Sequence, residues 1–191
     1  MDTGKLGILT RSTLRLGASS AFIALLLLRP TLAHSAQTFG AWQVALSADL
    51  TNIYAATKND SGAVLGEYCF PRKGSCVWAL GIPTSCDDGH VYPLLANSDI
   101  GSAQIRIQCQ GPVDGKLYSY AFTNFKSIDH LVKRASRVGF AMPLQADRFR
   151  VVRFVLNGAS AALKTMRIAA TKLMDSKPHR KHKTDTKDEI I

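Results

Sequence analysis

Cys86-Asp-Asp-Gly-His90 brings a thiol, two carboxylates and an imidazole into consecutive positions. A thiol beside a histidine can act as a nucleophile with its general base. The adjacent carboxylates of Asp87 and Asp88 can hold a divalent cation. Against both stands the local composition. Gly81 to Gly89 is rich in Pro, Ser, Asp and Gly, which a turn selects for conformational reasons. Side chains that are sequence neighbours on a turn also rarely face one another. Asp87, Asp88 and His90 are therefore candidate binding residues, with a hydrolase working through them as the alternative, and no residue is assigned a catalytic role. The sequence contains no Gly-x-Ser-x-Gly, no phosphate-cradling glycine loop and no His-Glu-x-x-His. Neither a metal nor a cofactor is expected. His130, next to Asp129, reads as a surface histidine. Tyr54, Tyr68, Tyr92, Tyr118 and Tyr120 could line a ligand face, although aromatics also simply favour strands.

The thiol chemistry depends on where the protein lives. Lys5, Arg11 and Arg15 precede an uncharged, mostly apolar run from Leu16 to Leu28, and small residues follow at Ala33, Ser35 and Ala36. This is the three-part pattern of a secretory signal peptide, and residues 1–36 are assigned to it. The apolar run falls short of the about 20 residues that a membrane span needs. Cleavage is expected between Ala33 and Gln37, and the periplasm is the expected location. No cysteine stands near the cleavage region to carry a lipid.

In an exported chain, four cysteines imply two disulfides. They are Cys69, Cys76, Cys86 and Cys109, spaced C-x6-C-x9-C-x22-C. Three connectivities are possible, and Cys69–Cys76 with Cys86–Cys109 is preferred. Pro71-Arg-Lys-Gly74 has the length and residue types of a hairpin loop, which sets Cys69 opposite Cys76 if Phe70 pairs with Ser75. The second bridge would tie the irregular Pro83–Gly89 segment to the Ile105–Cys109 strand. There is no C-x-x-C redox motif, and C-x6-C is not a usual zinc spacing.

The elements around these residues are mostly short strands. Phe39 to Leu46 alternates in the period-2 manner of one half-buried strand, with Trp42, Val44 and Leu46 inward. Further strands are expected at Ile53–Thr57, Ala63–Phe70, Ser75–Leu80, Val91–Leu95, Ala103–Gln108, Leu117–Phe122, Val138–Met142 and Phe149–Leu156, the last opened by Asp147. Turn residues separate them every eight to twelve positions. Ile128, Leu131, Val132 and Ala135 share one face of a short helix, with Ser127 as its expected N-cap. A second helical pattern runs from Ala159 to Met174. The fold class is all-β: an antiparallel sandwich or barrel-like domain over 37–163, with one short internal helix and a C-terminal helix. Residues 164–191 are expected to be helical and then a disordered basic tail, carrying the patch His179-Arg-Lys-His-Lys183.

The chain has a formal charge of +10, which falls to +7 without the leader. Residues 37–163 hold 12 basic and nine acidic side chains, so much of the excess sits in the tail. A mildly basic exported body does not argue for nucleic acid.

Phe-x-x-Trp at Phe39, Cys-Val-Trp at Cys76, Gln-Cys-Gln at Gln108, Val-Gly-Phe at Val138 and the run Asn-Gly-Ala-Ser-Ala-Ala-Leu163 occur in an order that resembles the invasion-associated locus B family. These are small exported proteins of Gram-negative bacteria. The resemblance covers Phe39 to Leu163 and leaves out the basic tail. It implies a β-sandwich in the periplasm or outer envelope, linked to host-cell invasion or stress, and it offers no catalytic residues. The expectation is a non-enzymatic, disulfide-stabilised protein that binds an unknown protein or envelope component. A further alternative is an envelope ligand-binding module whose basic tail touches anionic lipid, with at most peripheral membrane contact.

Overall fold

A computed structural model describes residues 36–113, 115–144 and 148–175. Residues 1–35 of the expected 1–36 leader, the expected tail from residue 176 with His179–Lys183, and Asp147 lie outside the described residues.

Among the described residues, ten strands form one antiparallel sheet. They are β1 (Gln37–Phe39), β2 (Trp42–Leu46), β3 (Ile53–Lys58), β4 (Val64–Phe70), β5 (Ser75–Ile82), β6 (Val91–Ser98), β7 (Gly101–Pro112), β8 (Tyr118–Phe122), β9 (Arg137–Pro143) and β10 (Phe149–Val155). Helix α1 (Phe125–Arg134) lies between β8 and β9, and α2 (Ala159–Asp175) follows β10. The strand order is β1-β2-β3-β4-β5-β8-β7-β6-β9-β10. The sheet does not close: β1 and β10 are its two edges. No helix among the described residues is long and apolar enough to cross a membrane.

Period-2 alternation puts the large apolar residues on one face. One row runs Trp42, Thr57, Leu65, Leu80, Tyr120 and Cys109 across six strands, and the next runs Val44, Ala55, Glu67 and Trp78. Trp42 and Trp78 are fully buried and meet edge to face with centroids 6.1 Å apart. The same face continues through Ile107, Leu94, Phe140 and Phe154. Helix α2 lays Ala159, Ala162, Leu163, Met166 and Ala170 into this core, at the 3.6-residue spacing of one helix stripe. Helix α1 adds Ile128, Leu131 and Val132. Each large side chain taken fully out of water contributes about 1.5–3 kcal/mol. The three residues Ala162, Leu163 and Met166 have no exposed surface, so α2 is part of the core rather than an appendage.

Two local expectations are corrected. Phe39 to Leu46 is not one strand. The chain reverses at Gly40 and Ala41, and Phe39 pairs with Trp42. Gly40 sits at φ 57°, and a Cβ there would lie 2.7 Å from the Asn157 carbonyl oxygen. The reversal thus requires glycine for both its dihedral and a close approach from the far end of the chain. The N-cap of α1 is Asn124, whose side chain accepts a hydrogen bond from the Ser127 backbone N–H. Ser127 is therefore a residue of the first turn that donates to the cap.

Candidate functional site

The hairpin between β4 and β5 has Phe70 opposite Ser75 and Cys69 opposite Cys76. The two cysteines are bridged, with Cα atoms 4.0 Å apart, near the about 4.5 Å of the closer type of antiparallel pair. A second bridge joins Cys86 to Cys109, with Cα atoms 6.0 Å apart. Neither sulfur pair is a free nucleophile. Glu67, Cys69 and Cys76 do bring ligand-type atoms within 4.8 Å of one another. Both sulfurs are consumed in the bridge, so they cannot serve as thiolate ligands.

The second bridge clamps the loop that carries Asp87, Asp88 and His90. Backbone hydrogen bonds hold the same point. The Gly89 N–H donates to the Cys109 carbonyl at 3.0 Å, and the Cys109 N–H donates to the His90 carbonyl at 2.9 Å. The His90 N–H donates to the Asp87 carbonyl at 3.1 Å, and the Gln108 side-chain amide donates to the Gly89 carbonyl at 3.0 Å. Gly89 adopts φ 78°, which its neighbours would adopt only with strain. The loop is thus a fixed extension of the β6–β7 pair.

On this frame His90 Nδ1 lies 3.4 Å from Asp87 Oδ2, with the two side chains 69% and 82% exposed. Water screens such a pair and keeps its worth small. Asp88 is exposed and makes no hydrogen bond among the described residues. The loop therefore presents its charges outward instead of closing them around a reacting atom. Beside it lies a cleft of about 660 Å³, walled by Thr84, Ser85, Asp87, Tyr92, Tyr120 and Arg148 among others. Of the three candidates, only Asp87 lines this cleft. Its backbone N–H donates to Tyr92 Oη at 3.2 Å. Tyr92 and Tyr120 meet edge to face at 6.0 Å, and Tyr120 Oη donates to the Thr84 carbonyl at 2.9 Å. Burial raises the Tyr120 hydroxyl pKa to about 12, so it stays a neutral donor at physiological pH. The other tyrosines divide. Tyr54 and Tyr68 stack across β3 and β4 on the opposite face of the sheet, with centroids 5.6 Å apart.

An ionic cluster stands elsewhere, and the sequence did not point to it. Glu67 is 1% exposed on β4. Arg167 on α2 donates from Nε to both Glu67 oxygens, at 3.1 and 3.0 Å, and from Nη2 to Oε2 at 2.5 Å. The same Nη2 donates to Asp129 on α1, which also accepts from Lys133 at 3.1 Å. The Arg167 guanidinium rests 5.7 Å from the Phe125 ring centroid. Burial pushes the Glu67 carboxyl above its ordinary value, opposed by the Arg167 hydrogen bonds and charge. These partners raise the Arg167 pKa in turn, against the burial that lowers it, so the guanidinium stays charged. The cluster is a bracket between β4, α1 and α2. A signal was available: Glu67 has the same strand parity as Leu65 and Cys69, so an inward acid needing a cation could be inferred.

No protein-family model matches this sequence, and no curated protein matches it. Among solved structures, the chain is similar to invasion associated protein B from Bartonella henselae, with a TM-score of 0.53 and 18% identity. The match covers 72% of this chain and 99% of that one. At this identity the likeness is one of fold.

Proposed function

We propose that this chain is an exported binding protein of the bacterial envelope, stabilised by its two disulfides, related to the invasion-associated locus B proteins and without enzymatic activity of its own. The observation that carries this reading is the presentation of Asp87, Asp88 and His90. They are exposed, and they sit on a loop that a disulfide and four hydrogen bonds hold in place. A rigid, solvated display of charge suits recognition of a surface, since rigidity lowers the ordering cost of binding. General acid–base work would call for groups shielded from water around a reacting atom. Two bridges fit an oxidising compartment, as does the signal-peptide pattern in the sequence of residues 1–36. The fold is similar to that of invasion associated protein B from Bartonella henselae. The partner is a protein or another envelope component.

Immobilised mature protein, exposed to solubilised envelope and cross-linked, should retain a component that then binds the purified chain saturably. Asp88→Ala/His90→Ala should weaken that binding while leaving the far-ultraviolet spectrum unchanged. Turnover of ester, peptide or glycan substrates that disappears in the same variant, with no saturable partner, would overturn the reading in favour of a hydrolase.

A further inference from the structure

The sheet fails to close along a seam between its first and last strands. A cleft of about 960 Å³ runs there, between the β3–β4 turn and the last strands, β6, β9 and β10. β10 is an edge strand. Two hydrogen bonds cross the seam: Asn59 Nδ2 donates to the Arg153 carbonyl at 3.1 Å, and the Ala41 N–H donates to the Asn157 carbonyl at 3.1 Å. Backbone groups of alternate residues in a strand face the same edge. The Arg153 carbonyl faces away from β9, so those of Phe149, Val151 and Val155 do as well. Among the described residues, nothing pairs with the backbone of Val151 on that side.

The side chains there are unusual for an unprotected edge. Phe149, Val151 and Val155 are 66%, 45% and 58% exposed. Leu95 is half exposed on the same face, where β9 joins Ala141 to both Leu95 and Val151. Natural edge strands are normally shortened, bulged, charged or covered, because a row of unpaired N–H and C=O groups beside apolar side chains templates another strand. β10 is a regular seven-residue strand without a proline or a bulge. Around it stand Lys58, Arg137 and Arg153, none of them in an ion pair among the described residues. Of the two acids in the cleft, Asp99 already accepts from the Ser136 N–H and Oγ and from the Arg137 N–H, which leaves Asp60.

We propose that β10 receives an extended segment of a partner protein, added as an eleventh strand, whose outward-facing side chains, at every second position, include both acidic and apolar residues. The backbone groups of Phe149 and Val151 and the Arg153 N–H supply the ladder, since the Arg153 carbonyl already accepts from Asn59. Leu95, Ala141, Val151 and Val155 take the apolar side chains, and Lys58, Arg137 and Arg153 take the acidic ones. This rests on the reading of the chain as a binding protein and gives that protein a second surface, apart from the Asp87–His90 loop, and a class of partner for it.

The probe is an N-acetylated, fluorescently labelled nonapeptide with glutamate and valine taking turns at its odd positions and serine at its even ones, with lysine in place of glutamate in the control, titrated against the mature chain by fluorescence anisotropy. The acidic peptide is expected to bind at least about tenfold more tightly than the basic one. It should slow amide hydrogen exchange at Val151 and Arg153. Val151→Pro removes an outward N–H while sparing the bonds to β9, and should weaken binding about tenfold. Arg153→Glu, which leaves the backbone alone, should abolish the preference for the acidic peptide. Equal binding of both peptides, or protection confined to other strands, overturns the proposal. So does concentration-dependent dimerisation that Val151→Pro abolishes, because the edge would then serve a second copy. If an envelope partner binds and neither variant weakens it, the edge proposal fails and the binding reading stands. If no partner binds at all, the binding reading itself fails.

Discussion

Replacing Arg167 with methionine removes the cation from the Glu67–Arg167–Asp129 bracket while keeping most of the aliphatic stem. Glu67 is then left 1% exposed with no guanidinium beside it. Breaking a well-buried ion pair from one side costs about 3–5 kcal/mol. Two facts lower that figure here. Arg167 is itself 30% exposed, and Lys133 remains beside Asp129. An expected loss of about 2–3 kcal/mol follows. Urea unfolding of the oxidised protein, followed by tryptophan fluorescence from Trp42 and Trp78, measures it. The pH dependence gives a second check. Burial holds the folded-state pKa of Glu67 above its ordinary 4.5, so the folded state binds this proton more tightly than the unfolded state does. The stability linked to that proton is fully present below 4.5 and is lost as pH rises through the folded-state value. Without Arg167 the upward shift grows, so the deficit of the variant should be largest near neutral pH and shrink on acidification. The double variant Glu67→Leu/Arg167→Met should recover most of the loss, since a buried pair replaced by apolar groups is often near neutral. A single variant within about 0.5 kcal/mol of wild type, or a deficit independent of pH from 8 to 5, would refute the argument.

Three other perturbations discriminate well. Replacing Cys86 and Cys109 with serine should destabilise more than replacing Cys69 and Cys76, about 3 against about 2 kcal/mol, because the closed segments span 23 and 7 positions; urea midpoints of the two double variants read the order. Gly158→Ala should cost more than about 2 kcal/mol or prevent folding, as φ is 90° and its Cβ would lie 1.9 Å from the Phe39 carbonyl oxygen; circular dichroism melts measure it. Hydrogen bonds from Ser136 and Arg137 hold the Asp99 carboxyl below its ordinary 3.8. Its contribution is therefore present above 3.8 and lost as pH falls through the lower folded-state value, and Asp99→Asn should flatten the acid limb of the stability curve.

Most strands could be read because each is short, rich in β-branched and aromatic residues, and bounded by turn formers. The segment Lys58–Gly62 and the Pro71–Gly74 loop carry their conformations in their own residue types. The four-residue loop even fixes the register that sets Cys69 against Cys76. Helix α2 was legible from the spacing of Leu163, Met166, Ile168, Ala169 and Leu173, although only Leu163 and Met166 of these are fully buried and Ile168 and Leu173 are exposed. The reversal at Gly40 was not, because its reason lies 117 positions away at Asn157. Local alternation from Phe39 to Leu46 is the same whether the chain continues or doubles back. The cap of α1 went to Asn124 because an N-cap is set by where the chain leaves extended geometry, and several polar residues competed there. The Glu67–Arg167 contact joins residues 100 positions apart, and no spacing rule reaches that far. The seam cleft likewise depends on which strands become edges, which is a property of the strand order and not of β10 alone.

The order of the chain also sets an order of events. The face formed by Trp42, Val44 and Ala55 belongs to the first strands, and part of its cover is the last helix. A chain released N-terminus first therefore holds those residues uncovered until about residue 170 has emerged. The two elements cannot protect each other early, and closing a loop of more than a hundred residues makes their meeting slow. Any carrier that handles the unfinished chain must shield the first strands until α2 has emerged, because the residues that complete their core lie more than a hundred positions further along.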